Sequence, residues 1–454
     1  MDRSVDNALI LTTCTVFERP GDIHPASATT VVAGLSLFQR TVFTLQRGGI
    51  GRLIVLSGDD TDQLRTHLDG DPRLHADLRW LPVNEFPPSD PRTWEVMSGM
   101  MGGPYLIVST GAVFPASLVS RVRAVAGRGE AVVVTRGVCR VMPRPRPHAT
   151  ASESAGTGGV VTLETTIADS QNADLLAIPE GFTCSGWASS QDAPYPLQAA
   201  LDRGVRQGQV TLMSLESDWY QDVRGGKADL PQSVEKAEWT LLNSLRGGLE
   251  GFVDRHFNRH CSKWLTLGFL QTPLTPNAVT YLATAVGLLA AFAFAQGGYV
   301  AGIIGAVLFQ LSAILDCCDG EVARLKFLES SFGQRLDVAL DNVVHVGLYL
   351  GMAWAAQAEW GLFAVILGGL ATFGNGVAFA VVQQTLKVRD RLDPLRRRRV
   401  DEILTRIVSR DFSVLILALA LVGHVEWFLL LAAVGSNIFW PLLIWQLRSP
   451  NPLR

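Results

Sequence analysis

Two kinds of apolar pattern divide the chain. Up to about residue 270, short runs recur between amphipathic stretches: "ALILTT", "RLIVLSG", "LRWLPV", "YLIVST", "EAVVVT", "DLLAIP" and "QVTLMSL". Runs of this length, bounded by turn residues and separated by helical patterns, predict strands of a mainly parallel sheet, hence an α/β domain. The stretch "MPRPRPHATASESAGTGG" (142–159) reads as a loop or insertion within it. Beyond residue 270 the apolar runs lengthen towards the roughly 20 residues needed to cross a bilayer. Six spans are expected, at about 277–295, 299–316, 338–357, 360–384, 412–423 and 425–446, the fifth being short. The pattern therefore predicts an α/β domain over 1–245, an amphipathic connector over 246–276 and an all-α six-helix transmembrane domain over 277–454.

Charge orients the spans. The formal net charge of −3 points away from a nucleic-acid binder, and no basic start with a long apolar core precedes the α/β domain. The segments 321–336 and 386–411 carry Arg324, Lys326, Arg335, Lys387, Arg389, Arg391, the run Arg396–Arg399, Arg406 and Arg410. The opposite connections, at "QGGY", "AEWG" and "GHVE", carry no Lys or Arg. The positive-inside rule then puts the basic loops and both termini in the cytoplasm, with the spans in the cytoplasmic (inner) membrane. Six cysteines without a CxxC pair read as unpaired, and Cys317 and Cys318 as small helix-packing residues.

The chemistry concentrates in "DCCDGEVARLKFLESSFGQRLDVALD", residues 316–341. On a helix Asp316, Asp319, Gly320 and Ala323 share one face, with Arg324 at its edge; Gly333, Asp337 and Asp341, spaced by four, share another. Two helix ends joined by a short turn then present four carboxylates to each other. A single Asp there is a membrane-boundary charge, but an unpaired Asp at membrane depth costs about 2.5–3.5 kcal/mol, and Arg324 offsets one or two at most. Cations answer the need, and an all-oxygen ligand set suits Mg²⁺, Mn²⁺ or Ca²⁺.

The same stretch matches, without departure, the signature D-x2-D-G-x2-A-R-x8-G-x3-D-x3-D of the CDP-alcohol phosphotransferases, and the chain resembles that family. The resemblance implies a donor CDP-alcohol (CDP-inositol or CDP-diacylglycerol), transfer of its substituted phosphate to an acceptor hydroxyl, and release of CMP. It implies two divalent ions, Mg²⁺ or Mn²⁺, held by Asp316, Asp319 and Asp337. It also implies that Asp341 completes that site and takes the acceptor's proton. Gly320, Ala323 and Gly333 would line the CDP pocket, with Arg324 on the nucleotide. Expected partners are the donor, an inositol phosphate, polyol phosphate or lipid acceptor, membrane lipids and a second copy of the chain, with no nucleic acid.

In the connector, Phe252, Phe257, Trp264, Leu265 and Leu267 mix with Arg255, Arg259 and Lys263, as in an interfacial helix. His256, His260 and Cys261 lack a second ligand pair and read as its surface residues, while His345 and His424 read as packing or hydrogen-bonding residues. "TPLTPN" breaks the connector, and Thr275–Asn277 cap the first span. The α/β half resembles nucleotidyltransferases, through "GLSLFQRTVFTLQRGGIGRLIVLSG" and "SDWYQDVRGGKADLPQSVEKAEWTLLNSL". The fusion resembles bifunctional inositol-phosphate cytidylyltransferase/di-myo-inositol-phosphate synthases. Yet "TTCTVFERPGD" has Arg19 without a Gly-rich loop, Gly111-Ala112 stand where a metal-binding Asp is expected, and Arg224 follows Asp222 where a second acid is common. A degenerate nucleotidyltransferase-like domain is expected, the alternative being a bifunctional enzyme that makes its own CDP-alcohol. Arg406 and Arg410 are candidate ligands of an acceptor phosphate. A non-enzymatic ion transporter is the rival of another class, though channel acids belong nearer mid-membrane.

Overall fold

The computed structural model describes residues 5–13, 25–126, 131–136, 172–178, 210–215, 220–245, 257–388 and 412–448, with single positions at 197, 200, 201, 203, 204 and 397. It divides into two compact units, Met1–Ser244 and Leu245–Arg454.

All seven apolar runs of the first half form one sheet. Its strands are β1 (Asn7–Leu11), β4 (Arg52–Ser57), β5 (Asp77–Pro82), β6 (Tyr105–Ser109), β8 (Ala131–Arg136), β9 (Asn172–Ile178) and β10 (Val210–Leu215), in the order β10-β8-β9-β6-β1-β4-β5. Neighbours pair in parallel except β9, which runs antiparallel to both β6 and β8. Between them lie the two-residue strands β2 (Val31–Val32), β3 (Leu35–Ser36), β7 (Ala112–Val113) and β11 (Gln221–Asp222). The helices are α1 (Leu37–Arg47), α2 (Thr61–Leu68), α3 (Pro91–Met101), α4 (Ala116–Ala126) and α5 (Leu230–Ser244). Continuous apolar strands need cover on both faces. One face meets Trp94, Met97 and Met101 of α3 together with Leu197 and Leu201. Arg40 of α1 is a buried cation that donates to the carbonyls of Val32 and Ala33, and burial pushes its guanidinium down to about 10.

The second unit is helical. α6 (Arg259–Leu270) leads into α7 (Pro276–Ala295), α8 (Tyr299–Leu325), α9 (Ser331–Trp360), α10 (Leu362–Val388), α11 (Phe412–Val422) and α12 (Glu426–Arg448). Thr275 caps α7, its side chain accepting from the amide of Ala278, with Pro276 in the first turn. Among the described residues, five helices are long and apolar enough to cross a membrane: α7, α8, α9, Leu362–Thr385 of α10 and Glu426–Trp445 of α12. The expected fifth span, 412–423, is present but is not one of these five. As described it is an 11-residue apolar helix, about 16 Å at 1.5 Å per residue, against a hydrocarbon core of about 30 Å. The second and third spans also outrun their apolar cores, because backbone hydrogen bonding continues into the charged turns. The aspartates therefore sit within α8 and α9 rather than at their ends.

Close packing brings these helices together. A Cβ at Gly351 would collide with the carbonyl of Ala291, and one at Gly287 would lie 2.7 Å from a Val344 methyl. Around those contacts Ala290, Phe294, Ala306, Phe309, Leu348 and Met352 form the apolar core of the bundle.

Candidate active site

The turn between α8 and α9 sets the geometry. Phe327 adopts a left-handed conformation (φ 55°), and Ser330 then caps α9, its Oγ accepting from the amide of Gly333 at 2.9 Å. This reversal lays the carboxylate faces of the two helices together. Asp316, Asp319 and Asp337 each offer an oxygen, all within 4.8 Å of one another. Asp319 is buried, and Thr280 of α7 donates its hydroxyl to Asp319 Oδ2. The same hydroxyl lies 3.2 Å from the carbonyl of Pro276, which fixes its rotamer.

These residues fit a divalent cation. The donors are carboxylate oxygens at ligand spacing, and Asp337 Oδ1 is buried without a hydrogen-bond partner. A buried, unsatisfied carboxylate oxygen beside two further carboxylates is costly unless a cation joins them.

Beside the carboxylates opens a pocket of about 580 Å³, whose wall includes Asn277, Asp319, Gly320, Ala323, Arg324 and Gly333. All four residues expected to meet the nucleotide thus line one cavity. Gly333 faces Asn277, whose Oδ1 would lie 3.0 Å from an added Cβ, so a side chain there would fill the cradle. Arg324 is braced by its own backbone, Nε donating to the carbonyl of Gly320 at 3.0 Å. Asp341 lies one turn beyond Asp337, near enough to Asp319 and Asp337 for their charges to interact. It lines a small separate cavity with Asp316, Ser312, His345, Phe309 and Phe412. His345 packs between aromatic rings, 5.4 Å from Phe412 and 6.3 Å from Phe309. Thr280 and Asn277 complete the site and were not singled out for it in the sequence. The signal was the run "TPNAVT", whose Thr280 lies one helical turn after Pro276. Arg406 and Arg410 lie outside the described residues.

In the α/β unit, Asp222 of β11 pairs with Ala112 of β7, and the amide of Val223 donates to the carbonyl of Gly111 at 2.9 Å. The two positions expected to carry paired acids are thus neighbours, one an Asp and the other without a carboxylate. A Cβ at Gly111 would lie 2.7 Å from that of Pro25. Pro25 would have to shift for any side chain at Gly111, and Ala112, which pairs with Asp222, carries no acid. Arg19 and the loop around it fall outside the described residues.

Residues 273–439 match the family described as CDP-alcohol phosphatidyltransferase. The chain is 30% identical over 346 residues to a "Bifunctional IPC transferase and DIPP synthase" of Rubrobacter xylanophilus, covering 72% of each chain. That alignment is longer than the unit Leu245–Arg454, so it reaches into the α/β unit. A protein of the same description from Aquifex aeolicus is 29% identical over 171 residues, 37% of this chain and 38% of that one. Among solved structures, the inositol-1-phosphate CTP transferase from T. maritima superposes with a TM-score of 0.34 at 11% identity, covering 53% of this chain and 98% of that one.

Proposed function

The chain belongs to the CDP-alcohol phosphatidyltransferase family, and from that premise we propose that it moves the substituted phosphate of a CDP-alcohol onto an acceptor hydroxyl, releasing CMP. The observation that carries this reading is the convergence of Asp316, Asp319 and Asp337 beside a glycine-floored pocket. Asp316, Asp319 and Asp337 would hold Mg²⁺ or Mn²⁺, two ions with the help of Asp341. Such ions, when bound, neutralise the pyrophosphate and stabilise the charge that develops on it. Thr280 keeps Asp319 in its ligating rotamer. Gly320, Ala323 and Gly333 leave room for the flat base and ribose, and Arg324 meets the nucleotide part. Asp341 takes the proton of the acceptor hydroxyl as that oxygen bonds to phosphorus and the bond to CMP breaks.

The donor is CDP-inositol or CDP-diacylglycerol, and the acceptor a polyol phosphate, an inositol phosphate or a lipid. Arg406 and Arg410, from their place in the basic stretch that precedes α11 in the sequence, supply donors for an acceptor phosphate. The basic connections support a cytoplasmic face for the site in the inner membrane. The full-length protein, offered CDP-diacylglycerol and CDP-inositol with Mg²⁺ or Mn²⁺ and an inositol phosphate, should release CMP and stop in excess EDTA. Undiminished release after verified metal removal would sink the proposed metal site.

A second reading, in which the α/β unit also forms the CDP-alcohol from CTP, is favoured by the alignment that reaches into that unit and by the survival of Asp222. Against it stand Gly111 and Ala112, which leave Asp222 without a second acid opposite it. The α/β unit is therefore proposed to be inactive as a nucleotidyltransferase.

A further inference from the structure

Between Gly320 and Ala323 of the signature lies a fifth acid, Glu321, which neighbours the carboxylate cluster in sequence only. On α8, residues 310, 314, 318, 321 and 325 fall on one face, and 316, 319, 320 and 323 on the opposite one. Glu321 is 2% exposed and points away from the pocket, into the seam between α8 and the connector helix α6. There Ser262 donates to its Oε1 at 3.0 Å and Thr266 to its Oε2 at 2.6 Å.

Polar contacts recur along the seam, among the buried apolar side chains of Leu270, Ile314 and Leu325. Gln310 Nε2 donates to the fully buried Asn258 at 2.6 Å, and the Cys318 thiol faces the carbonyl of Ser262 at 3.5 Å. At the far end Lys326 Nζ donates to the carbonyl of Thr272 at 2.9 Å. Asn258, Ser262, Thr266 and Leu270, spaced by four, form the stripe of α6 that docks, while Phe257, Trp264 and Leu265 remain exposed. The amphipathic helix therefore turns its two hydroxyls, with Leu270, to the protein and leaves Trp264 and Leu265 outside. Apolar packing alone lets a helix slide or roll along its neighbour. Two hydroxyls donating to the two oxygens of one carboxylate fix both register and rotation.

We propose that Glu321 is a positioning residue: by locking α6 against the back of α8 it holds Asp319, Gly320 and Arg324 in register on the front. The proposal rests on the transferase reading of that front face. The test uses full-length protein in nanodiscs, with whichever of CDP-diacylglycerol or CDP-inositol the wild type turns over. Glu321→Ala should raise the donor's KM and lower kcat, cutting kcat/KM by roughly 10- to 100-fold, as loss of a residue that orients a ligand typically does. Glu321→Gln keeps an oxygen to accept one hydroxyl and an amide to meet the other, so it should restore most of the loss.

Thr266→Val removes one donor at constant shape and should be impaired, while Thr266→Ser should not. That pair decides the matter if Glu321→Ala fails to fold. Hydrogen exchange of the peptide 259–270, which needs no catalysis, should be slow in wild type and faster in Thr266→Val. Wild-type KM and kcat in both Glu321→Ala and Thr266→Val overturn the lock, as does a Glu321→Gln as impaired as the alanine. If the wild type turns over neither CDP-alcohol, the reaction assignment falls and the exchange comparison alone decides the lock.

Discussion

Asp341 and Asp319 occupy different surroundings, and their substitution should separate binding from turnover. Asp319 is in the cluster with Asp316 and Asp337, whereas Asp341 is not among those three and shares its small cavity with Asp316 and His345. Asp341→Asn should lower kcat by about 10²–10⁴-fold, the usual weight of general-base help, while CDP-alcohol binding survives. Asp319→Asn should weaken Mn²⁺ binding as well, read by the paramagnetic resonance of free Mn²⁺. Near-normal turnover in Asp341→Asn would remove it from the proton-accepting role. Thr280→Val keeps the shape but removes the donor to Asp319. A loss of roughly 10- to 100-fold in Mn²⁺ affinity or activity is expected, with folding intact. Unchanged Mn²⁺ titration and kinetics in this variant would show that Asp319 needs no such support.

At the scale of elements, the site depends on how closely α7, α8 and α9 approach. Gly351 of α9 lies against the backbone of Ala291 in α7, so even a methyl group must push the two helices apart. Backbone cannot move aside as a side chain can, and overpacking of this kind costs about 1–3 kcal/mol. Gly351→Ala should lower the melting temperature in detergent and raise the divalent-ion concentration needed for half-maximal activity. Gly369, where an added Cβ meets nothing, serves as the control, since Gly369→Ala should leave both unchanged. A Gly351→Ala protein as stable and active as this control would show that the contact is not a constraint.

For the whole molecule, the two units carry unequal evidence of chemistry. The membrane unit presents clustered acids beside a pocket, while the α/β unit retains Asp222 but has Gly111 and Ala112 opposite it. The full chain should therefore release CMP from a supplied CDP-alcohol but no pyrophosphate from CTP and an alcohol phosphate. Pyrophosphate release that disappears in Asp222→Ala would instead establish the bifunctional reading.

Much of this was legible because it depends on local periodicity. The seven strands follow from short apolar runs between turn residues, and the long spans from the length of their apolar cores. The shared faces of Asp316 with Asp319, and of Asp337 with Asp341, follow from helical spacing alone. The shortness of α11 follows from its apolar run too, expected over 412–423 and described over Phe412–Val422. The roles of Thr280 and Glu321 were not legible, because each acts across a contact between residues 39 or more apart in the chain. In sequence Glu321 stands two residues from Asp319, at an unspecified position of the signature. Only the packing of α6 on α8 decided that it faces the other way, because which side of a helix is inward depends on what is packed against it.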